Sequence, residues 1–123
     1  MKHSPEFEAI VDEARPRVTE ISIDDYLARK DQVTLIDVRE DHEVAQGMIP
    51  GAEHIGRGVI ERDIVGKHPD KDEELVLYCG GGYRSVLAAD NLQKMGYRRV
   101  RSLIGGWRAW TARGDGGSSP PRR

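Results

Sequence analysis

The residues best suited to chemistry lie in one short run, Cys79-Gly80-Gly81-Gly82-Tyr83-Arg84-Ser85, and Cys79 is the only cysteine of the 123-residue chain. It follows Glu74-Leu75-Val76-Leu77-Tyr78, which reads as a buried strand, and precedes the apolar, helix-period stretch from Val86 to Met95. A thiol is thereby set on a strand-to-helix turn whose glycines leave the backbone N–H groups unobstructed. Such a turn is an anion-binding nest, and the helix N-terminus adds partial positive charge. A cysteine there is expected to give up its proton more readily than a free thiol and to act as a thiolate nucleophile. The bland alternative is a small buried hydrophobe. Three consecutive glycines count against it, because each costs backbone entropy on folding and a plain turn rarely needs three.

Around this loop other side chains are candidates for support. Arg84 suits either of two uses of a guanidinium, holding an anionic substrate or pairing with a carboxylate to fix the loop, with Glu43 and Asp37 as candidate partners. Arg39 and Glu40 follow the strand that ends near Asp37, either as a solvated pair or as support for the loop. Arg57, two residues past a short strand at Ile55, is a candidate for the mouth of the site, where it would attract an anion; the competing reading is a plain surface arginine. His3, His42, His54 and His68 share no ligand spacing, so neither a metal nor a catalytic histidine is expected. Trp107 and Trp110, three apart on a helix, read as core anchors.

The elements that must position these groups follow from periodicity. A short amphipathic helix is expected over Pro5–Ala14, with Pro16 ending it. Val18–Ile21 is a plausible strand, and Ser22-Ile23-Asp24-Asp25 resembles a capping box opening a helix through Arg29. Val33–Val38 is a near-continuous apolar run, the pattern of a strand covered on both faces. Helical turns are expected from Glu40 to Gln46, a short strand over Ala52–Ile55, and about one turn around Val59–Ile64. After the cysteine loop come a helix to Met95 with Gly96 at its C-cap, a strand over Val100–Ile104, and a last helix carrying both tryptophans. Alternating strands and helices imply an α/β fold, an open parallel sheet of about five short strands with helices on both faces. In such sheets sites form at the carboxyl ends of strands, where Cys79 and Asp37 both fall.

Composition sets the outer bounds. The length suits one core, and 33% charged with 37% hydrophobic residues suits a soluble globular protein. A net charge of -2 gives no broad attraction to nucleic acid, and no apolar run approaches a membrane span of about 20 residues. The N-terminus lacks a signal-peptide core, and a single cysteine forms no intrachain disulfide, so a cytoplasmic location is the default. The expected division is an N-terminal helical extension over 1–17, a folded domain over 18–113 and a disordered tail over 114–123.

Three stretches together resemble the single-domain rhodaneses, a family of sulfurtransferases: Leu35-Ile36-Asp37-Val38-Arg39-Glu40 continuing through Glu43 to Gly47-Met48-Ile49-Pro50-Gly51-Ala52-Glu53-His54-Ile55, the loop Cys79–Arg84 with Ser85, and Gly105-Gly106-Trp107 with Trp110. They span about residues 18 to 112 in the family's order. Met48 stands where the family often has histidine, and Gly80-Gly81 stand where some thiosulfate-preferring members carry a basic residue. The resemblance implies persulfide chemistry: Cys79 takes sulfur from a small anionic donor such as thiosulfate and passes it to cyanide or a thiol, with a protein acceptor as a further possibility. Gly80, Gly81, Gly82, Tyr83, Arg84, Ser85 and Arg57 would then bind substrate, Asp37, Arg39 and Glu43 would support, and no cofactor is implied. The alternatives are a non-catalytic binding module and a carrier fed by a partner protein. A phosphatase or arsenate reductase of the same fold is disfavoured, since those need five residues between cysteine and arginine and this loop has four.

Overall fold

The computed structural model describes residues 3–114. Five short strands, β1 (Thr19–Ile21), β2 (Thr34–Asp37), β3 (Glu53–His54), β4 (Leu75–Tyr78) and β5 (Val100–Leu103), form one sheet in the order β1-β5-β4-β2-β3. Every pairing is parallel. Six helices accompany them: α1 (Pro5–Ala14), α2 (Ile23–Arg29), α3 (Asp41–Val44), α4 (Ile60–Lys67), α5 (Arg84–Lys94) and α6 (Gly106–Arg113). The α/β architecture with a five-stranded parallel sheet is the one expected from the sequence.

Alternation along the strands divides the core into two layers. Leu75 and Leu77 of β4 join Ile36, Ile60, Ile64, Val86, Ala89 and Leu92 beneath α1, α4 and α5. Val76 and Tyr78 join Leu35, Ile23, Tyr26, Leu103 and Trp110 beneath α2 and α6. β4 is buried at all four positions, which is why its sequence reads as an unbroken apolar run. Helix α1 belongs to this core, with Val11 and Ala14 almost fully buried. Its start is fixed by Ser4, whose side chain accepts from the Phe7 amide at 3.1 Å, and Ser22 does the same for α2 through the Asp25 amide at 3.0 Å.

One element is longer than expected. The single turn expected near Val59–Ile64 is the two-turn helix α4, running on to Lys67 because Ile60 and Ile64, four apart, both bury against the sheet. Ion pairs around the buried Glu74 lie at the end of the sheet remote from the cysteine. Glu74, 2% exposed at its side chain, meets Arg29, Arg99 and Arg101. His68 at the end of α4 bridges Glu53 of β3 (2.7 Å) and Glu73 (3.1 Å). No described helix is long and apolar enough to cross a membrane. The expected tail lies outside the described residues beyond Gly114, which ends α6 in a left-handed conformation.

Candidate active site

Cys79 lies at the carboxyl end of β4 and is 1% exposed. The chain after it curls so that its amides point back at the thiol. Sγ accepts from the Gly82 amide at 3.1 Å and the Ser85 amide at 3.4 Å, and the Ser85 hydroxyl lies at 3.5 Å. Ser85 is braced in turn by Ser102 of β5, Oγ to Oγ 2.7 Å. The curl depends on Gly82 at φ +94°, where a side chain would be strained and a Cβ would press on the Gly105 amide at 3.2 Å. Charge on the sulfur is thus met by fixed amide dipoles, which need no reorganisation when it develops.

The loop is also gripped from behind. The first free amides of α6 donate to its carbonyls, Trp107 N–H to Cys79 O at 2.8 Å and Arg108 N–H to Gly80 O at 2.9 Å. This approach is close enough that a Cβ at Gly106 (φ +52°) would overlap the Cys79 carbonyl oxygen. The pair Gly105-Gly106 is therefore a requirement of the site and not merely of the turn.

Arg84 is paired with a carboxylate. Its two terminal nitrogens donate to the two oxygens of Glu43, at 2.7 and 2.8 Å. The fork holds the Glu43 carboxyl down at about 2 despite its partial burial, and Glu43 in return raises the proton affinity of Arg84. Glu43 Oε2 also accepts the Glu40 amide at 2.9 Å, which fixes the start of α3. Asp37 serves a different arginine. Its carboxylate takes the Arg39 amide (2.9 Å), Nε (3.0 Å) and Nη2 (2.8 Å), and the Tyr78 hydroxyl at 2.6 Å.

Arg39 is not solvated. It is 1% exposed, donates to the Gly47 carbonyl at 2.7 Å and stacks 4.6 Å from the Trp107 ring centroid. Burial opposes its charge, but the Asp37 fork outweighs it and raises its proton affinity. The same burial, with the Asp37 charge, pushes the Tyr78 hydroxyl up, so it stays a donor to Asp37 while accepting the Ile49 amide at 3.0 Å.

A cavity of about 790 Å³ opens over the loop, and its walls include Gly80, Arg84, Glu43, Arg39, Trp107 and Arg108. Arg57 is not among them. It faces a separate cleft with Ile10, Glu13, Arg17 and Asp90, between α1 and α5, so it stands apart from the mouth assigned to it by its place after β3. Tyr83 points toward α1, its ring 4.5 Å from His3 and 6.1 Å from Phe7. Trp110 is a core residue as read, whereas Trp107 is half-buried and walls the cavity.

Sequence reasoning passed over Arg108. Its guanidinium lies over Gly81, with Nη1 3.2 Å from where a Cβ would stand. The available signal was its place two residues after Gly106, in the first turn of a helix packed on the loop. Among the described residues no His, Cys, Asp and Glu side chains gather in a group able to hold a metal ion.

Known proteins share this design. A family model for the rhodanese-like domain matches residues 22–113. A putative sulfurtransferase of Bacillus subtilis is 44% identical over 80 residues, covering 65% of this chain and 75% of that protein. A sulfurtransferase of Allochromatium vinosum is 40% identical over 93 residues, covering 76% and 85%. Among solved structures, a protein of unknown function and possible tyrosine phosphatase from Rhodopseudomonas palustris superposes with a TM-score of 0.78 at 29% identity, over 97% of each chain. With the cysteine loop, the Asp37–Arg39 support and the Gly105-Gly106 contact all inside the matched segment, the chain belongs to the rhodanese-like domain family.

Proposed function

We propose that the protein is a sulfurtransferase that moves a sulfane sulfur from an anionic donor to a thiol or cyanide through a persulfide on Cys79. The observation that carries this reading is the ring of amides closed on one sulfur atom, with Gly82 and Ser85 N–H groups at 3.1 and 3.4 Å from Sγ. The Cys79 thiolate attacks the outer sulfur of the donor. A new S–S bond forms as the donor's own bond to that sulfur breaks, and the electron pair leaves on the anion, sulfite in the case of thiosulfate. Attack of the acceptor on the outer sulfur of the persulfide then returns the Cys79 thiolate. Nucleophile and leaving groups are anions throughout, so the scheme calls for stabilising amides and not for a proton-transfer residue.

The phosphatase reading, raised by the Rhodopseudomonas palustris protein, is less well supported. Its chemistry needs an arginine turned onto a tetrahedral oxyanion, whereas here both terminal nitrogens of Arg84 are held by Glu43 and the loop is one residue short.

Intact mass spectrometry after incubation with thiosulfate or mercaptopyruvate tests the proposal. The wild-type chain is expected to gain about 32 Da, to lose it on adding cyanide, and Cys79→Ser to gain nothing. No gain with any small donor would move the assignment to a partner-fed carrier or an inactive module.

A further inference from the structure

Behind the cysteine lie two buried hydroxyls to which the transfer scheme gives no task. Ser102 is in β5 and Ser85 in the first turn of α5, and both are fully buried. Their Oγ atoms are 2.7 Å apart, and Ser85 Oγ is 3.5 Å from Cys79 Sγ. Ser102 is held in register with Leu77 of β4, two positions before the cysteine, so the sheet fixes where its hydroxyl stands. Among the described residues Ser102 Oγ has no other hydrogen-bond partner, and the three atoms form a chain closed at one end.

Each hydroxyl has one proton to place. When Ser102 donates to Ser85 and Ser85 donates to the sulfur, both protons are used and the chain ends on Sγ. Run the other way, from a Cys79 thiol through Ser85 to Ser102, the chain leaves its last proton in the core without an acceptor. A buried donor left unpaired is costly. The direction that satisfies both hydroxyls is therefore the one that ends on the sulfur. It also strengthens as Sγ becomes negative, because a hydroxyl that accepts a hydrogen bond is a better donor.

Resting on the sulfur-transfer reading, we propose that Ser102 is a positioning residue that turns the Ser85 hydroxyl onto Cys79 Sγ. In loading, Sγ gives its electron pair to the outer sulfur of the donor, whose own bond to that sulfur breaks. In discharge the acceptor bonds to the outer sulfur, the S–S bond breaks and the pair returns to Sγ. Neither serine exchanges a proton with the reactants. The two steps respond differently, since a better-stabilised thiolate leaves faster but attacks more weakly. Loss of the Ser102 hydroxyl thus slows discharge and spares loading wherever Cys79 is fully ionised, whereas a loss of packing slows both.

The test uses the full chain, with iodoacetamide, thiosulfate and cyanide as probes. Ser102→Thr and Ser102→Val carry nearly the same added bulk and differ in the hydroxyl. Relative to Thr, Val is expected to raise the pH midpoint of Cys79 alkylation by about half a unit and to slow persulfide discharge to cyanide about two- to threefold. On the alkaline plateau its loading from thiosulfate is expected not to fall. Ser85→Ala is expected to raise the midpoint by about a unit, and in that background the Thr and Val variants are expected to coincide. Ser102→Ala against wild type makes the same comparison if the added methyl unfolds the strand. The charges that face the loop are those of Arg84 with Glu43, Arg39 with Asp37, and Arg108, with His3, Glu40 and His42 also on the cavity wall. All are kept in these variants, so a moved profile reports the hydroxyl. A Ser102 effect that persists without Ser85, or loading and discharge slowed alike, would overturn the relay.

Alkylation reads the relay with no sulfur transferred. A shifted midpoint in a protein that takes sulfur from no small donor would overturn sulfur transfer, and with it the discharge role, leaving Ser102 to act on the thiolate only. Sulfur transfer with matching profiles for Ser102→Thr and Ser102→Val would overturn the relay and leave sulfur transfer standing.

Discussion

At the scale of single residues, the site is built by spending charges on each other. Glu43 and Arg84 are only partly exposed, 24% and 29% at their side chains, and their fork joins α3 to the start of α5. Glu43→Gln leaves the guanidinium half-buried with a neutral partner, and the variant is expected to lose about 1–3 kcal/mol of stability in urea denaturation at pH 7. Because the folded carboxyl sits at about 2, below its unfolded value, its contribution is present above the unfolded carboxylate range and is lost as pH falls toward 2. The gap between wild type and Glu43→Gln is therefore expected to close on acidification from pH 5 to pH 2, and a gap independent of pH would contradict the role of its charge. These pairings were only partly legible in the sequence. Glu43 was a candidate for Arg84 because both flank predicted site elements. Arg39 allowed a solvated reading because nothing local reveals that the Gly47 carbonyl and the Trp107 ring close over it.

At the scale of elements, strands and helices were readable where one face or two faces carry an unbroken period, as in β4 and α5. What the sequence left open lies where distant elements meet. Arg108 is 29 positions from Cys79 and comes to it only through the β5–α6 turn, and Arg57 departs from its expected place because the chain after β3 turns toward α1. Gly106→Ala tests the turn. Its Cβ would collide with the Cys79 carbonyl, so the variant is expected to fold with stability lowered by about 1–3 kcal/mol and to react more slowly at Cys79, read by thermal melting and thiol alkylation. A second element-level joint is His68, whose proton affinity is raised: burial works against its charge, but Glu53 and Glu73 outweigh it. A folded value above 6.5 makes its contribution complete below the unfolded value and lost as pH rises through the folded one. The stability difference between wild type and His68→Gln is thus expected to be larger at pH 5.5 than at pH 8.5, and the reverse order would refute the clamp.

At the scale of the whole molecule, α1 is continuous with the core although it precedes the segment the family model matches. Val11 is fully buried in the same apolar layer as Ile36 of β2 and Leu77 of β4. Val11→Ala is expected to lower stability by about 1–3 kcal/mol as a shift of one cooperative transition. Separate melting of α1 ahead of the sheet would show it to be an appendage. The order β1-β5-β4-β2-β3 also bears on biosynthesis. The first strand to leave the ribosome, β1, pairs only with the last, β5, and the carbonyls of Cys79 and Gly80 are capped only when the start of α6 arrives. At about 5–20 residues per second, the loop therefore waits seconds after its own synthesis for the segment that fixes its backbone.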